Sequence, residues 1–140
     1  MKIYRTASEE ETIALGERLA GELPARCVVL LIGQLGAGKT TLAKGIVKGL
    51  GAAAPEEVSS PTFTLVHEYG AGPRVYHIDL YRIENARELA TLGLDELLER
   101  DAAVLVEWGE RFPALWPPGR LEIRLEHAGE EVREIWIDWE

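Results

Sequence analysis

The sequence predicts one α/β domain over residues 1–140, with central parallel strands, added antiparallel hairpins and helices on both faces of the sheet. Apolar runs at 27–32 and 102–106 contain no charged or amide residue, which is typical of strands buried on both faces of a parallel sheet. A glycine-rich segment, Gly33 to Thr40, follows the first run and fits G-x-x-x-x-G-K-[ST] at every fixed position. A helical pattern follows that segment. Together these features predict a phosphate-loop (P-loop) NTPase-like domain.

The N-terminal elements are predicted from capping and spacing. Residues 3–6 suggest a short strand. Ser8 followed by Glu11 forms a capping box that begins a helix, and Pro24 ends that helix. A second helix begins near Lys39, because apolar residues recur every four positions after it and form one stripe. The residues of that stripe are Leu42, Ile46 and Leu50.

The second half of the chain predicts two hairpins with a helical stretch between them. Each hairpin consists of two extended runs joined by a turn that contains glycine. Residues 84–100 predict a helix that is interrupted at Gly93. The four extended runs span 63–69, 74–81, 121–126 and 132–139.

Composition narrows the classes of partner. The net charge is −9, from 24 acidic and 15 basic residues, so the chain is a poor candidate for binding RNA or DNA alone. We expect any nucleic-acid role to pass through a partner. The single cysteine, Cys27, precludes an internal disulfide and suits a reducing compartment. No apolar stretch has membrane-spanning length and the N-terminus lacks a signal peptide's apolar core, so we expect a cytoplasmic protein.

The glycine-rich segment predicts a nucleoside triphosphate site. Glycines let successive backbone N–H groups converge on one anion, and the helix N-terminus adds further N–H groups. Lys39 is expected to reach the β- and γ-phosphates, and the Thr40 hydroxyl to ligate Mg²⁺. The alternative is a turn that fits the pattern by chance, and the flanking strand and helix argue against it. The only asparagine, Asn85, precedes Ala86, so the guanine-specific N-K-x-D element is absent and ATP is the expected nucleotide.

Two acids, Asp79 and Glu107, end predicted strands at the edge where catalytic groups gather in open α/β sheets. Each could serve Mg²⁺ or an attacking water, and solvated acids at strand ends are the alternative. His77 is expected on the same face of its strand as Asp79 and could tune that carboxylate, unless it is a structural histidine. Ser60 or Thr62 could sense Mg²⁺ and the γ-phosphate, as switch loops do, or belong to a plain turn.

The sequence resembles the TsaE (YjeE) family, the small bacterial ATPases needed to make threonylcarbamoyladenosine beside the tRNA anticodon. Besides Lys39 and Thr40 of the phosphate loop, three segments carry the resemblance: S-P-T-F-T-L at 60–65, H-I-D-L-Y-R at 77–82 and E-W-G-E at 107–110. Their order and spacing are far more specific than the phosphate loop alone, and no position departs from the pattern. The resemblance runs from the first predicted helix to the last hairpin.

The resemblance implies a role for each candidate residue. Lys39 and the loop amides bind ATP, Thr40 and Glu107 ligate Mg²⁺, and Asp79 assists Lys39 in hydrolysis by positioning water. Residues 60–62 are switch-like, and the start of the first helix borders the nucleotide. The expected nucleotide-binding residues are therefore Glu9, Leu35, Gly36, Ala37, Gly38, Lys39, Thr40 and Thr41.

The resemblance also implies partners, the threonylcarbamoyl transferase TsaD and its inactive paralogue TsaB, which would carry the tRNA. ATP is then expected to favour docking on these proteins and hydrolysis to reset the complex. Two other functions stay open. A small-molecule kinase needs an arginine-bearing lid, and only Arg82 and Arg111 fall near the expected site. A nucleotide-sensing module would hold Mg-ATP with the same acids and without significant hydrolysis.

Overall fold

One sheet organises the part of the chain that the computed structural model describes, residues 1–61, 64–71 and 74–139. Its strands are β1 (Lys2–Thr6), β2 (Cys27–Ile32), β3 (Val66–Tyr69), β4 (Val75–Asp79), β5 (Ala103–Glu107), β6 (Leu121–His127) and β7 (Arg133–Trp139). The helices are α1 (Glu9–Ala20), α2 (Lys39–Gly49), α3 (Ala86–Leu89) and α4 (Leu94–Leu98). Across the sheet the strands follow the order β1-β7-β6-β2-β5-β4-β3.

The centre of the sheet is parallel. Strand β2 pairs in parallel with both β5 and β6, and β5 pairs in parallel with β4. Every residue of β2, β4 and β5 is buried, as expected for strands that are covered on both faces. Parallel pairing brings the carboxyl ends of these strands to one edge, where Asp79 lies directly opposite Glu107.

Antiparallel pairs flank this centre. Strand β3 pairs with β4 at one end of the sheet, and at the other end β7 pairs with β6 and with β1. The β6 side chains alternate between buried and more exposed positions, which is typical of a sheet with one covered face. Strand β1 pairs with β7 from Lys2, opposite Ile137, to Thr6, opposite Arg133.

Helices cover the two faces of the sheet with separate apolar cores. One core joins α1 and α2 to side chains such as Leu31 and Ile123, and the other joins α3 and α4 to the opposite face. Helices α1 and α2 approach closely at three glycines, Gly16, Gly45 and Gly49. A Cβ on Gly45, for example, would lie 2.0 Å from the Ile13 carbonyl oxygen. This close packing holds the start of α1 beside the phosphate loop.

The predicted fold class is confirmed, with small differences in the bounds of the elements. The first helix ends at Ala20 and not at Pro24, because residues 21–23 donate to carbonyls three residues back. The stretch 84–100 is interrupted at Gly93 as predicted, since Gly93 adopts a φ of 66° between two short helices. Within the described residues, every helix falls short of the length and apolarity that a membrane crossing requires.

Candidate nucleotide-binding site

The phosphate loop connects the buried end of β2 to Lys39, the first residue of α2. Two glycines shape it, because Gly36 (φ 78°) and Gly38 (φ 103°) lie in the left-handed region that side chains disfavour. The Ala37 N–H donates to the Gln34 carbonyl at 3.0 Å and closes a turn between them. Gly38 is the N-cap of α2 and offers no side chain, so no side-chain cap competes with an anion at this helix N-terminus.

Lys39 is only 4% exposed, and its ammonium group contacts its own loop. The Nζ donates to the Gly33 carbonyl oxygen at 2.7 Å and lies 3.5 Å from the centroid of the Trp108 ring. Such an aromatic face attracts a cation. Burial lowers the pKa of Lys39 below its ordinary value, against the opposing effect of nearby carboxylates, that of Glu107 first. A poorly solvated cation of this kind gains from the arrival of an anion.

Two carboxylates lie side by side at the carboxyl edge of the parallel strands. Asp79 and Glu107 are 2% and 3% exposed, and they occupy paired positions in β4 and β5. A buried carboxylate is costly unless hydrogen bonds replace its hydration. Each of these acids has such bonds, from different partners.

Glu107 accepts two hydrogen bonds on the same oxygen, Oε2. The Thr40 hydroxyl donates from the first turn of α2 at 3.0 Å, and His77 Nε2 donates from β4 at 2.6 Å. The sequence placed His77 on the same face as Asp79 and suggested that it tunes that carboxylate. The structure gives its hydrogen bond to Glu107 instead, because the side chain reaches across to the neighbouring strand.

Asp79 is held by the loop before β3 and by its own turn. Ser60 Oγ donates to Asp79 Oδ2 at 2.7 Å, and the backbone N–H of Tyr81 donates to Oδ1 at 2.8 Å. Ser60 therefore touches the acid that the sequence proposed for catalysis. Thr62, the other switch-like candidate, lies outside the described residues.

A cleft of about 460 Å³ lies in front of the phosphate loop and the two acids. It brings together all the expected nucleotide-binding, metal-binding and catalytic residues except Ala37, together with Ser60 and three residues that the sequence did not place there. Its lining consists of Glu9, Leu35, Gly36, Gly38, Lys39, Thr40, Thr41, Ser60, Asp79, Tyr81, Glu107, Trp108 and Arg133.

Ala37 and Arg133 are the clearest differences from the predicted set. The Ala37 side chain is 1% exposed and lines the adjoining cleft instead of this one, and its N–H donates within the loop. Arg133 begins β7, and its Nη2 donates to the Gly36 carbonyl oxygen at 3.3 Å. No local signal could have identified Arg133, since the contact depends on the pairing of distant strands.

A second cleft, of about 530 Å³, adjoins the first, and Trp108 lines both. Glu110 lines the second cleft, and its Oε1 is buried without a hydrogen-bond partner among the described residues. Burial raises the pKa of the Glu110 carboxyl above its ordinary value. Trp108 has a φ of 66°, a conformation that is costly for a bulky residue and that places its ring over Lys39.

Thr40 and Glu107 suit a magnesium ion by the chemistry of their oxygens. Mg²⁺ prefers hard oxygen ligands, and proteins usually hold it with one or two carboxylates while phosphate oxygens and waters complete its shell. A hydroxyl bonded to a carboxylate beside a phosphate loop meets that requirement. The described residues include no group of three or more His, Cys, Asp or Glu side chains placed to hold a metal on their own.

Comparison with known proteins decides the family. The model of the family described as threonylcarbamoyl adenosine biosynthesis protein TsaE matches residues 6–135. The chain belongs to the TsaE family. The TsaE match spans α1, the phosphate loop, both site acids and the first three residues of β7.

Individual TsaE proteins are similar over nearly the whole chain. The tRNA threonylcarbamoyladenosine biosynthesis protein TsaE of Bacillus subtilis is 42% identical, covering 94% of this chain and 82% of its own length. The protein of the same name from Treponema pallidum is 35% identical, covering 93% and 95%. The crystal structure of Bacillus subtilis YdiB matches with a TM-score of 0.75 and 37% identity, over 96% of this chain and 82% of that chain.

Proposed function

We propose that this TsaE-family chain is a Mg²⁺-dependent ATPase that serves threonylcarbamoyladenosine modification of tRNA beside the anticodon. The observation that carries the proposal is the convergence of Lys39, Thr40, Asp79 and Glu107 on one cleft at the phosphate loop. The relatives named as tRNA threonylcarbamoyladenosine biosynthesis proteins support the assignment to this tRNA modification. We place the activity in the cytoplasm, with the tRNA.

The loop supplies the affinity for the triphosphate. Lys39 contacts one backbone carbonyl and one aromatic face in this structure, and neither of them carries a full negative charge. The β- and γ-phosphates would offer it full negative charges, and the N-terminus of α2 would add backbone donors. Glu9 and Arg133 also line the cleft, and we propose that they contact the nucleotide there. ATP is the nucleotide because the guanine-reading element is absent from the sequence.

Thr40 and Glu107 would hold Mg²⁺, which when bound neutralises phosphate charge during phosphoryl transfer. Asp79 is the residue proposed to orient the attacking water. Both of its oxygens are occupied in this structure, Oδ2 by the Ser60 hydroxyl and Oδ1 by the Tyr81 N–H. A carboxylate oxygen can accept two hydrogen bonds, as Glu107 Oε2 does, so the Ser60 hydroxyl would compete with water for Asp79 Oδ2, and its departure would free an acceptor position there. This makes the loop around Ser60 the switch element of the cycle.

The proposed partners are the transferase TsaD and its paralogue TsaB, which would contact the tRNA. A chain with a net charge of −9 has little capacity to bind nucleic acid directly. The proposal that the partners contact the tRNA agrees with this charge. ATP would favour docking on the transferase complex and hydrolysis would favour release. Slow turnover by the isolated chain is expected if the partners move Ser60.

The test is ATP turnover by the purified chain, alone and with TsaD, TsaB and tRNA. We expect stimulation by the complex, loss of ATP binding in Lys39→Ala, and loss of turnover with retained ATP affinity in Asp79→Ala. Asp138→Ala, which removes a half-buried carboxylate on β7 outside the cleft, is the matched control. Unchanged turnover in Asp79→Ala would contradict the catalytic role and leave a nucleotide-sensing module.

A further inference from the structure

His77 is a fully buried imidazole that uses only one of its two nitrogens. Nε2 lies 2.6 Å from Glu107 Oε2, and because an ionised carboxylate only accepts, Nε2 carries the hydrogen and donates it. Nδ1 is buried without a partner among the described residues. A residue kept for packing alone would be an apolar one of similar size, since it would leave no polar atom unpaired. The contact with Glu107 is what a histidine adds at this position.

The two donors to Glu107 Oε2 differ in their access to a ligand. Thr40 lines the cleft, on the loop that an incoming nucleotide must contact. His77 does not line the cleft, and its strand is paired on both sides, with Leu105 of β5 and His67 of β3 opposite His77. A bound ligand can redirect the Thr40 hydroxyl. The His77 imidazole has no comparable freedom to move.

We infer that His77 is a positioning residue, which fixes the Glu107 carboxylate at the phosphate loop and so sets the chain's affinity for a divalent cation. The inference rests on the proposed function, in which Glu107 ligates Mg²⁺. The hydrogen bond from His77 holds the carboxylate in place while Thr40 exchanges partners. Groups that orient a metal-binding side chain in this way typically contribute 10- to 100-fold to metal affinity.

The experiment compares two histidines that face each other across β3 and β4. His77→Phe keeps the ring volume and removes the donor to Glu107. His67→Phe is the matched control, because His67 pairs with His77 in the sheet but bonds to Tyr69. His77→Gln restores an N–H donor at a similar reach. Each full-length variant is titrated with MgCl₂ in the presence of ATP, and with ATP in EDTA, following tryptophan fluorescence and confirming folding by thermal melts.

We expect His77→Phe to weaken the apparent Mg²⁺ affinity about tenfold or more. ATP affinity in EDTA should change less than about twofold, because Lys39 and the loop amides are untouched. His67→Phe should match the wild type, and His77→Gln should recover much of the loss. If His77→Phe does not fold, His77→Gln is compared with His77→Asn, whose shorter side chain cannot reach Glu107.

Two results would overturn the inference. One is equal Mg²⁺ affinity in His77→Phe and the wild type. The other is a similar loss of ATP affinity with and without the cation, which would make His77 a structural residue only. A wild-type chain that binds ATP equally well in EDTA and in Mg²⁺ would count against the proposed function first, and the inference would fall with it. The EDTA measurement on the wild type therefore separates the two failures.

Discussion

The parallel centre of the sheet and its antiparallel flank treat charged residues in opposite ways. Strands β2, β4 and β5 bury every side chain, yet this centre holds His77, Asp79 and Glu107. The flank of β1, β6 and β7 also carries many charges, but they lie on its uncovered, more exposed positions. Burial of charge is costly and exposure is not. The difference indicates that the buried polar residues of the centre are explained by a function. The charged residues of the flank are explained by their exposure to solvent.

The sharpest test of this comparison is the cost of removing the same apolar side chain from each region. Ile78 of β4 is fully buried and Ile3 of β1 is 63% exposed. We expect Ile78→Ala to lower the free energy of unfolding by about 2–5 kcal/mol, because a cavity remains. Ile3→Ala should change it by less than about 0.5 kcal/mol. Urea denaturation measures both, and similar losses would show that the flank is covered in solution.

A second test exchanges one carboxylate for an amide in each region. Glu107→Gln should reduce Mg²⁺-dependent ATP turnover about 100-fold, a loss typical of removing one electrostatic group from a catalytic site. Glu134→Gln changes a half-buried carboxylate of β7 and should leave turnover unchanged. Steady-state hydrolysis at saturating MgCl₂ gives both values. Equal activity of the two variants would contradict a role of Glu107 in Mg²⁺-dependent hydrolysis.

Raising the pH offers a smaller test of the buried centre. The pKa of Lys39 is lowered from its ordinary value of 10.5 by burial, so its charge is lost at a pH where a free lysine is still protonated. As the pH is raised, ATP affinity should therefore begin to fall before pH 10.5 is reached. The fall should be at most about tenfold per pH unit, since one proton is involved. Lys39→Arg keeps its charge and is the control; a fall of the same size in that variant would exclude Lys39 as the cause.

For folding, the same shift has the opposite sign. The unfolded chain holds the Lys39 proton more tightly than the folded chain. The charged form therefore opposes folding below the folded pKa, and this group's contribution to stability rises as the pH passes from that value to 10.5. Comparing thermal melts of the wild type and Lys39→Arg over this range would detect the difference.

The smallest effect is expected at an ion pair on the flank. Lys2 and Glu22 lie 3.5 Å apart, with side chains that are 65% and 57% exposed. Such pairs contribute about 0–1 kcal/mol and weaken in salt. Lys2→Ala should therefore change the unfolding free energy by less than about 1 kcal/mol at low salt, and by less still in 1 M NaCl. A larger loss would mean that the exposed flank is stabilised by its charges.

Sequence could predict the parts of the fold that are contiguous in the chain. Buried strands β2 and β5 follow from unbroken apolar runs, and the phosphate loop follows from spacing within eight residues. The acids Asp79 and Glu107 are predicted because each ends a strand-like run. In these cases the physical cause, burial or a tight turn, acts on neighbouring residues.

The contacts that sequence could not predict join distant strands. His77 was expected to act on Asp79, two residues away, and its bond goes to Glu107 across the strand pair. Arg133 reaches Gly36 because β7 is brought beside the loop by pairing with β6. Register of this kind is set by the whole sheet, and no local pattern encodes it.

The pairing of β1 with β7 has a consequence for biosynthesis. Thr6 of β1 lies opposite Arg133 of β7, and α1 with its cleft residue Glu9 follows directly after β1. During synthesis β1 leaves the ribosome long before its partner strand β7 exists. It therefore has no strand to pair with until the other six strands have been made. Glu9 and Arg133, which both line the nucleotide cleft, can therefore come together only after β7 has been made. A nascent chain should complete this part of its ATP-binding cleft only after β7 has been synthesised.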